Sequence, residues 1–449
     1  MSALDSATLT RELTRLVRTA PVAPDDLRSA ERYVRDWVGS LVAGHATPAG
    51  RALLAYADGQ QDLESRIFLA AALSHITETD DLHRASVTHP ACVVIPAALV
   101  LGHSLGASGA AVLRAVLSGY EAMLRVGEAL GPAHYRLFHN TATAGVFGSA
   151  AAAASLLDLD EDQWVWALGN AGTQAAGLWQ FKHDASMSKH LHAGHAAQAG
   201  VRAALLAQRG FTGPSAILEG EQGFFRALCP DARPEAVLER AYGWKLAETS
   251  LKPYPCCRHT HPAIDAALEI QHARAEAGLD VSAVRALRVQ TYSAARQVTD
   301  DPDPQVPYAA KFSIQFCVAT ALLRGRPELA SFESPRLEDA AVRALLRRTE
   351  VSVVPDLEAA YPARWGAAVE VDWREGGTSH ARCEAARGDP EAPLDDRSLD
   401  EKVRALLRYG GLEDDAAEAL LHASRALAQG GDVFPLPLSP SNSPNGTTR

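Results

Sequence analysis

The chain has 449 residues, 47 % of them hydrophobic, and a formal net charge of −11. That length supports a large core and predicts two or three domains, while an acidic balance with no Lys/Arg-rich block excludes a nucleic-acid-binding role. No apolar run is long enough for a membrane helix, and the six cysteines lack CxxC spacing, which predicts reduced thiols in a cytoplasmic protein.

The opening residues, MSALDSATLTRELTRLV, carry acids early and no long apolar run, which predicts neither a signal nor a transit peptide. Residues 4–20 and 25–42 read as helices separated by Pro21 and Pro24, and 65–75 as an apolar helix. A polar cluster follows: Glu78-Thr79-Asp80-Asp81-Leu82-His83, then Thr88-His89-Pro90. Acids and histidines dropped between two apolar helices point to a site rather than a linker. The helix expected at 91–105 starts just past them. Further helices are expected at 109–130, 142–157 and 163–178, with His139-Asn140-Thr141 before the second of these. Residues 142–157 are nearly all Ala, Gly, Val and Ser, and such faces let helices approach closely.

The stretch from residue 180 gathers Lys182, His183, Lys189, His190, His192 and His195 at the entrance to an alanine-rich helix expected at 193–208. Gly210-Phe211-Thr212-Gly213-Pro214 stops that helix. A helix N-terminus favours anions, so a lysine delivered there suggests a site for a negatively charged small molecule. Only six of the 43 basic residues are lysines: Lys182, Lys189, Lys245, Lys252, Lys311 and Lys402. Lysine, unlike arginine, can surrender its proton near neutral pH, so a lysine kept against this bias is of interest. Lys402, in a C-terminal helix away from every motif, is expected to tolerate arginine. His190, His192 and His195 have no acid or cysteine at ligand spacing, so no metal is expected there.

Lys252-Pro253-Tyr254-Pro255-Cys256-Cys257 and on to His261-Pro262 forbids a helix. A helix at 263–277 follows, then strands at 284–291, 350–354, 367–373 and 378–386, with helices at 311–324 and 337–347 among them. The expected fold is mainly α with an α+β second domain. Residues 1–255 form the first part of a large helical domain, 256–392 a smaller α+β lid, 393–428 helices returning to the first domain, and 429–449 a disordered Ser/Pro/Gly/Asn-rich tail. No GxGxxG, P-loop, GxSxG or HExxH is present.

Asp80-Asp81…His83…Thr88-His89-Pro90, Phe138-His139, Lys189…His192-Ala193-Gly194-His195, Gly210-Phe211-Thr212-Gly213-Pro214, Lys252-Pro253-Tyr254-Pro255 and Lys311-Phe312-Ser313 together resemble the MmgE/PrpD family, in order and over nearly the whole chain. That family includes 2-methylcitrate dehydratase, cis-aconitate decarboxylase and iminodisuccinate epimerase. The resemblance implies a homodimer without metal or organic cofactor, and a pocket between the domains for small polycarboxylates. The small-residue helices at 142–157 and 193–208 are the faces expected to meet the second copy. The resemblance implies His89, His139, Lys189 and Lys252 as catalytic residues, and Glu78, Asp81, Leu82, Thr88, His192, Cys257 and His261 as substrate-binding. A histidine or desolvated lysine can remove a proton α to a carboxylate, and cations stabilise the resulting enolate-like charge. Leu82 replaces a threonine of the decarboxylase branch, and Cys256-Cys257 stands where that branch has a histidine. The expected function is a cofactor-independent lyase or isomerase moving a proton α to a carboxylate. Alternatives are a ring- or double-bond-forming enzyme on a larger intermediate, and an inactive dimeric binding protein.

Overall fold

The computed structural model describes residues 7–183, 186–239 and 243–438. The chain divides into two compact units, one formed by Met1–Leu251 with Asp396–Arg449 and the other by Lys252–Asp395.

The first unit is helical. It opens with α1 (Leu9–Thr19), α2 (Pro24–His45), α3 (Pro48–Tyr56), α4 (Leu63–Ser74), α5 (Ala91–Leu105) and α6 (Gly109–Glu128). Two single turns, α7 (Pro132–Tyr135) and α8 (Asn140–Thr143), lead to α9 (Gly145–Leu156), α10 (Glu161–Gly172), α11 (Ser188–Gln208) and α12 (Phe224–Leu228). Local chemistry sets the starts: Thr8, Asp62, Ser108 and Asp160 each accept a hydrogen bond from a backbone N–H three residues on, and prolines open α2 and α3. Two strands of two residues each, β1 (Leu82–His83) and β2 (Thr249–Ser250), pair antiparallel with Leu82 opposite Ser250. They are too short to show a period in the sequence.

The core of this unit is built around α9, whose residues from Gly145 to Ala154 are all buried. It packs against α5, α6, α10 and α11. The approach to α11 is close: Ser149 Oγ donates to the Ala196 carbonyl at 2.7 Å, and a Cβ added at Gly200 would lie 1.9 Å from Ser149 Oγ. The small-residue faces expected to meet a second copy are therefore buried inside one copy.

The second unit carries α13 (His261–Glu276), α14 (Ser293–Thr299), α15 (Pro307–Lys311), α16 (Ile314–Arg324), α17 (Ala340–Leu346) and α18 (Pro355–Ala360) around a four-stranded sheet. The strands are β3 (Val284–Thr291), β4 (Thr349–Val353), β5 (Ala367–Trp373) and β6 (Thr378–Cys383), in the order β4-β3-β5-β6. β3 runs parallel to β4 and antiparallel to β5, which pairs antiparallel with β6. Leu287 and Val289 of β3 face Val371 and Val369 of β5 in register, and all four join one core with Ile264, Ala267, Phe316 and Val318. The helix expected at 311–324 is broken. Lys311 ends α15, and Ser313 Oγ caps α16 by accepting from Phe316 N at 3.0 Å.

Beyond β6 the chain forms α19 (Asp396–Tyr409) and α20 (Asp414–Ala426), which belong to the first unit. Arg35 of α2 fastens α19: buried, it donates to Asp400 Oδ1 at 2.6 Å and to Asp396 Oδ1 at 2.9 Å and pairs with Glu31. The tail expected to be disordered from residue 429 is packed over its first stretch. Gly109 N donates to the Gly431 carbonyl, Ser108 bridges Asp432, and Val433 and Leu436 are buried, because two apolar side chains reach back to the helical unit. Residues 439–449 of that tail, and 4–6 of the first expected helix, lie outside the described residues. No helix among the described residues is long and apolar enough to cross a membrane.

Candidate active site

The loop after α4 brings its acids together by turning sharply. Glu78 adopts φ 60° and Val87, just before Thr88-His89, adopts φ 51°. Non-glycine residues in the left-handed region are strained, most of all a β-branched one, and such strain clusters at functional sites.

The two turns deliver a cluster of imidazoles around His75. The His75 ring lies 5.1 Å from His89, 5.5 Å from His139 in a stacked pose, and 6.3 Å from His190 edge-on. His139 lies 5.6 Å from His192, with their Nδ1 atoms 3.4 Å apart. His75 is fully buried, and its Nδ1 is 2.6 Å from Asp80 Oδ2. His89 Nδ1 is 2.6 Å from the Asp81 carbonyl oxygen. A carbonyl only accepts, so His89 Nδ1 carries a proton, with the Asp80 carboxylate 3.4 Å away. The main chain of His89 is held by Thr141 Oγ1, and Asn140 Nδ2 donates to the Ser86 carbonyl. The His139-Asn140-Thr141 segment thus braces the loop that carries His89.

Lys189 enters from α11. The helix starts at Ser188, earlier than expected, so Lys189 and His192 sit one turn apart on one face rather than before the helix. The Lys189 side chain is buried and donates to Glu78 Oε1. The cluster has the electrostatics of a closed site. Burial, then the neighbouring His75 and Lys189 charges, hold His139 well below the ordinary imidazole value. Burial pushes His190 down to about 3 and His192 to about 4. These rings are neutral at pH 7. Beside His192 opens a cavity of about 700 Å³ lined by Leu178, Phe181, Leu191 and His195 among others.

Several residues expected to bind substrate are spent inside the fold. Asp81 Oδ1 accepts from Ala91 N at 3.0 Å, at the start of α5, and Oδ2 from Tyr120 Oη at 2.7 Å. Fully buried, its carboxyl is pushed up by desolvation against those two hydrogen bonds. Thr88 is buried with its Oγ1 on Ser86 Oγ at 2.6 Å, and Leu82 is buried in β1. Their polar or apolar groups are engaged by the loop itself, which is why they do not join the cluster. Glu78, His89, His139, Lys189 and His192 do join it. Lys252, Cys257 and His261 belong to the second unit. There Lys252 is buried, Cys257 N donates to the Lys311 carbonyl at 2.9 Å, and His261, at the start of α13, donates from Nε2 to the Cys256 carbonyl at 3.2 Å.

Among the described residues, two groups have ligand atoms close enough to hold a metal: His75, Asp80 and His89, and His83, Glu128 and Glu248. In both, the donors are already engaged within the protein. In the first, His75 Nδ1 and Asp80 Oδ2 are hydrogen-bonded at 2.6 Å and His89 Nδ1 faces the Asp81 carbonyl. In the second, Lys245 Nζ already lies 3.0 Å from Glu128 and 3.1 Å from Glu248, and supplies the positive charge.

Residues 12–237 match the MmgE/PrpD N-terminal domain and 254–427 the MmgE/PrpD C-terminal domain. Human cis-aconitate decarboxylase is 29 % identical over 353 residues, 75 % of this chain and 71 % of that protein. Cis-aconitate decarboxylase of Aspergillus terreus is 26 % identical over 368 residues, covering 77 % and 74 %. The 2-methylcitrate dehydratase of Cupriavidus necator is 30 % identical over 214 residues, covering 46 % and 43 %.

Proposed function

Since the chain belongs to the MmgE/PrpD family of lyase-type enzymes, we propose that it is a lyase or isomerase that removes a proton α to a carboxylate of a small polycarboxylate, with His89 as base and no metal or organic cofactor. One observation carries the reading: the Asp81 carbonyl holds a proton on His89 Nδ1, which turns Nε2 into the acceptor of the neutral ring, beside His139, whose own proton affinity burial lowers.

In this account His89 Nε2 takes the proton from the α carbon. The C–H electron pair moves onto the carboxylate, which becomes enediolate-like. Lys189, a cation held by Glu78, stabilises that charge; its pairing with a carboxylate suits it for this role better than for a base. His139, neutral, donates a hydrogen bond to a substrate oxygen. Collapse of the enediolate expels a β-leaving group, or reprotonation from the other face inverts the carbon. Decarboxylation uses the same parts in another order: the carboxylate leaves as CO2, its C–C electron pair stays on carbon, and that carbon takes a proton that His89 has first taken up from solvent.

Lys252 enters this reading as a second cation. A homodimer belongs to the reading as well, through a surface other than α9. The cavity beside His192, with Leu178, Phe181 and Leu191 in its wall, favours a second version in which the substrate carries an apolar arm, as a larger biosynthetic intermediate does. Product analysis by NMR tests the proposal. Of cis-aconitate, 2-methylcitrate and apolar-substituted homologues, at least one gives a new species with the wild type and none with His89→Gln.

A further inference from the structure

Lys402 was expected to be remote from every motif. It is instead buried, 4 % exposed, and its Nζ donates to Asp36 Oδ1 at 2.5 Å and to the Thr79 carbonyl at 2.8 Å. Thr79 stands between the two acids of the site: Glu78, which holds Lys189, and Asp80, which holds His75. Its hydroxyl is fixed too, donating to Ser40 Oγ at 2.8 Å one turn along α2 from Asp36. The loop is therefore pinned between Glu78 and Asp80 by a lysine from the returning helix α19.

We propose that Lys402 is a positioning residue of the active site, acting through Thr79 to aim Glu78 and Asp80 at Lys189 and His75. The inference rests on the proton-transfer reading of that site. The chemistry requires a lysine. A compact ammonium can serve one carboxylate and one carbonyl at once, whereas a planar guanidinium presents a longer fork that does not fit the same buried corner. The seam between α2 and α19 does not depend on it, since Arg35 joins those helices through Asp396 and Asp400. What Lys402 adds is the bond to the loop. Glu78 lies in the left-handed region, so a loop released at Thr79 has a strained residue free to relax and carry its carboxylate away from Lys189.

Lys402→Met alone leaves Asp36 buried without its ammonium and can fail to fold. The test therefore pairs it with the double variant Asp36→Asn/Lys402→Met, which removes both charges. Wild-type circular dichroism, a kcat at least tenfold lower and a KM within threefold of wild type are expected for the double variant. Lys402→Arg is expected not to rescue turnover. Amide hydrogen exchange over residues 76–90 should speed up at least tenfold, with exchange in α2 and α19 unchanged. A purely structural role would lower Tm and leave both kcat and loop exchange as in the wild type, and that result overturns the proposal. If the wild type turns over no carboxylate, the proton-transfer reading fails by itself, and the exchange measurement still decides whether Lys402 holds the loop.

Discussion

Asp81 and His89 meet through the main chain of one and the side chain of the other. The Asp81 carbonyl accepts a hydrogen bond from His89 Nδ1 at 2.6 Å, while the Asp81 carboxylate turns away to Ala91 N and Tyr120. The adjacent Asp80 does the reverse, aiming its carboxylate at His75. Two neighbouring aspartates thus divide the work: one builds the loop and sets a tautomer, the other faces the imidazole cluster.

Asp81→Asn should therefore damage the fold more than the chemistry. The amide can still accept from Ala91 N, but the Nδ2 that replaces Oδ2 only donates, so the Tyr120 hydroxyl proton loses its acceptor in a fully buried place. A cost of about 1–3 kcal/mol is expected, as for other buried polar groups left unsatisfied. Thermal melts of Asp81→Asn, Tyr120→Phe and the double variant check this. The double variant should recover part of the loss, and kcat of the folded Asp81→Asn protein should stay within threefold of wild type. A large fall in kcat with unchanged melting would return Asp81 to the substrate.

Lys189→Arg should lower kcat by about a hundredfold or more, the range usual for groups that act in the transition state. The lysine is buried against Glu78, where a longer, forked cation cannot occupy the same point. Steady-state kinetics decides between the roles. A raised KM with kcat intact would reduce Lys189 to a substrate anchor.

Stability should fall as pH drops below about 6.5. His190 and His192 have folded values of about 3 and about 4, and His139 is also well below the ordinary imidazole value. Between those values and the unfolded value of about 6.5, the unfolded chain binds protons that the folded chain refuses, so stability is present above that window and is lost through it as pH falls. Melting temperatures from pH 7.5 to 5 measure it. His190→Asn should flatten the slope, because it removes one of the refused protons. An unchanged slope in that variant would mean that His190 titrates alike in both states.

Gly200→Ala should destabilise the helical unit by about 1–3 kcal/mol, since the added methyl meets Ser149 Oγ at 1.9 Å and Ala150 N at 2.5 Å. A Ser149→Ala partner substitution should ease only the first of these clashes. Chemical denaturation with light scattering is the check. If the variant changed oligomeric state at wild-type stability, the small-residue face would lie between copies after all.

The residues of the candidate site were legible by type. Lys189, His89 and His139 stood out as titratable groups set among apolar helices, and Val284–Thr291 and Ala367–Trp373 as alternating strands. Other parts were hidden for physical reasons. His75 ends an apolar helix and reads as its last turn; only its spacing from Asp80, five residues on, hints at the pair. Asp80 and Asp81 are adjacent and identical in type, so nothing in the sequence says which one faces the cluster. Lys402 was misplaced although the rarity of lysine that singles out Lys189 applies equally to it. Its partner Thr79 lies 323 residues away, and no local pattern reports a contact of that kind. The same holds for α9, whose small side chains permit close packing without saying whether the neighbour is α11 or a second chain.

The central claim is that His89 moves a proton at carbon next to a carboxylate. Its most direct test is incorporation of solvent deuterium, followed by NMR, when the wild type and His89→Gln are incubated in D2O with a panel of di- and tricarboxylates that includes cis-aconitate and 2-methylcitrate. The account predicts deuterium at the carbon α to a carboxylate, or at the carbon protonated on decarboxylation, for at least one compound with the wild type. It predicts a rate lower by about a hundredfold to ten-thousandfold for His89→Gln, the span of general acid–base catalysis. Incorporation that survives His89→Gln, or no incorporation from any compound with the wild type, would contradict it.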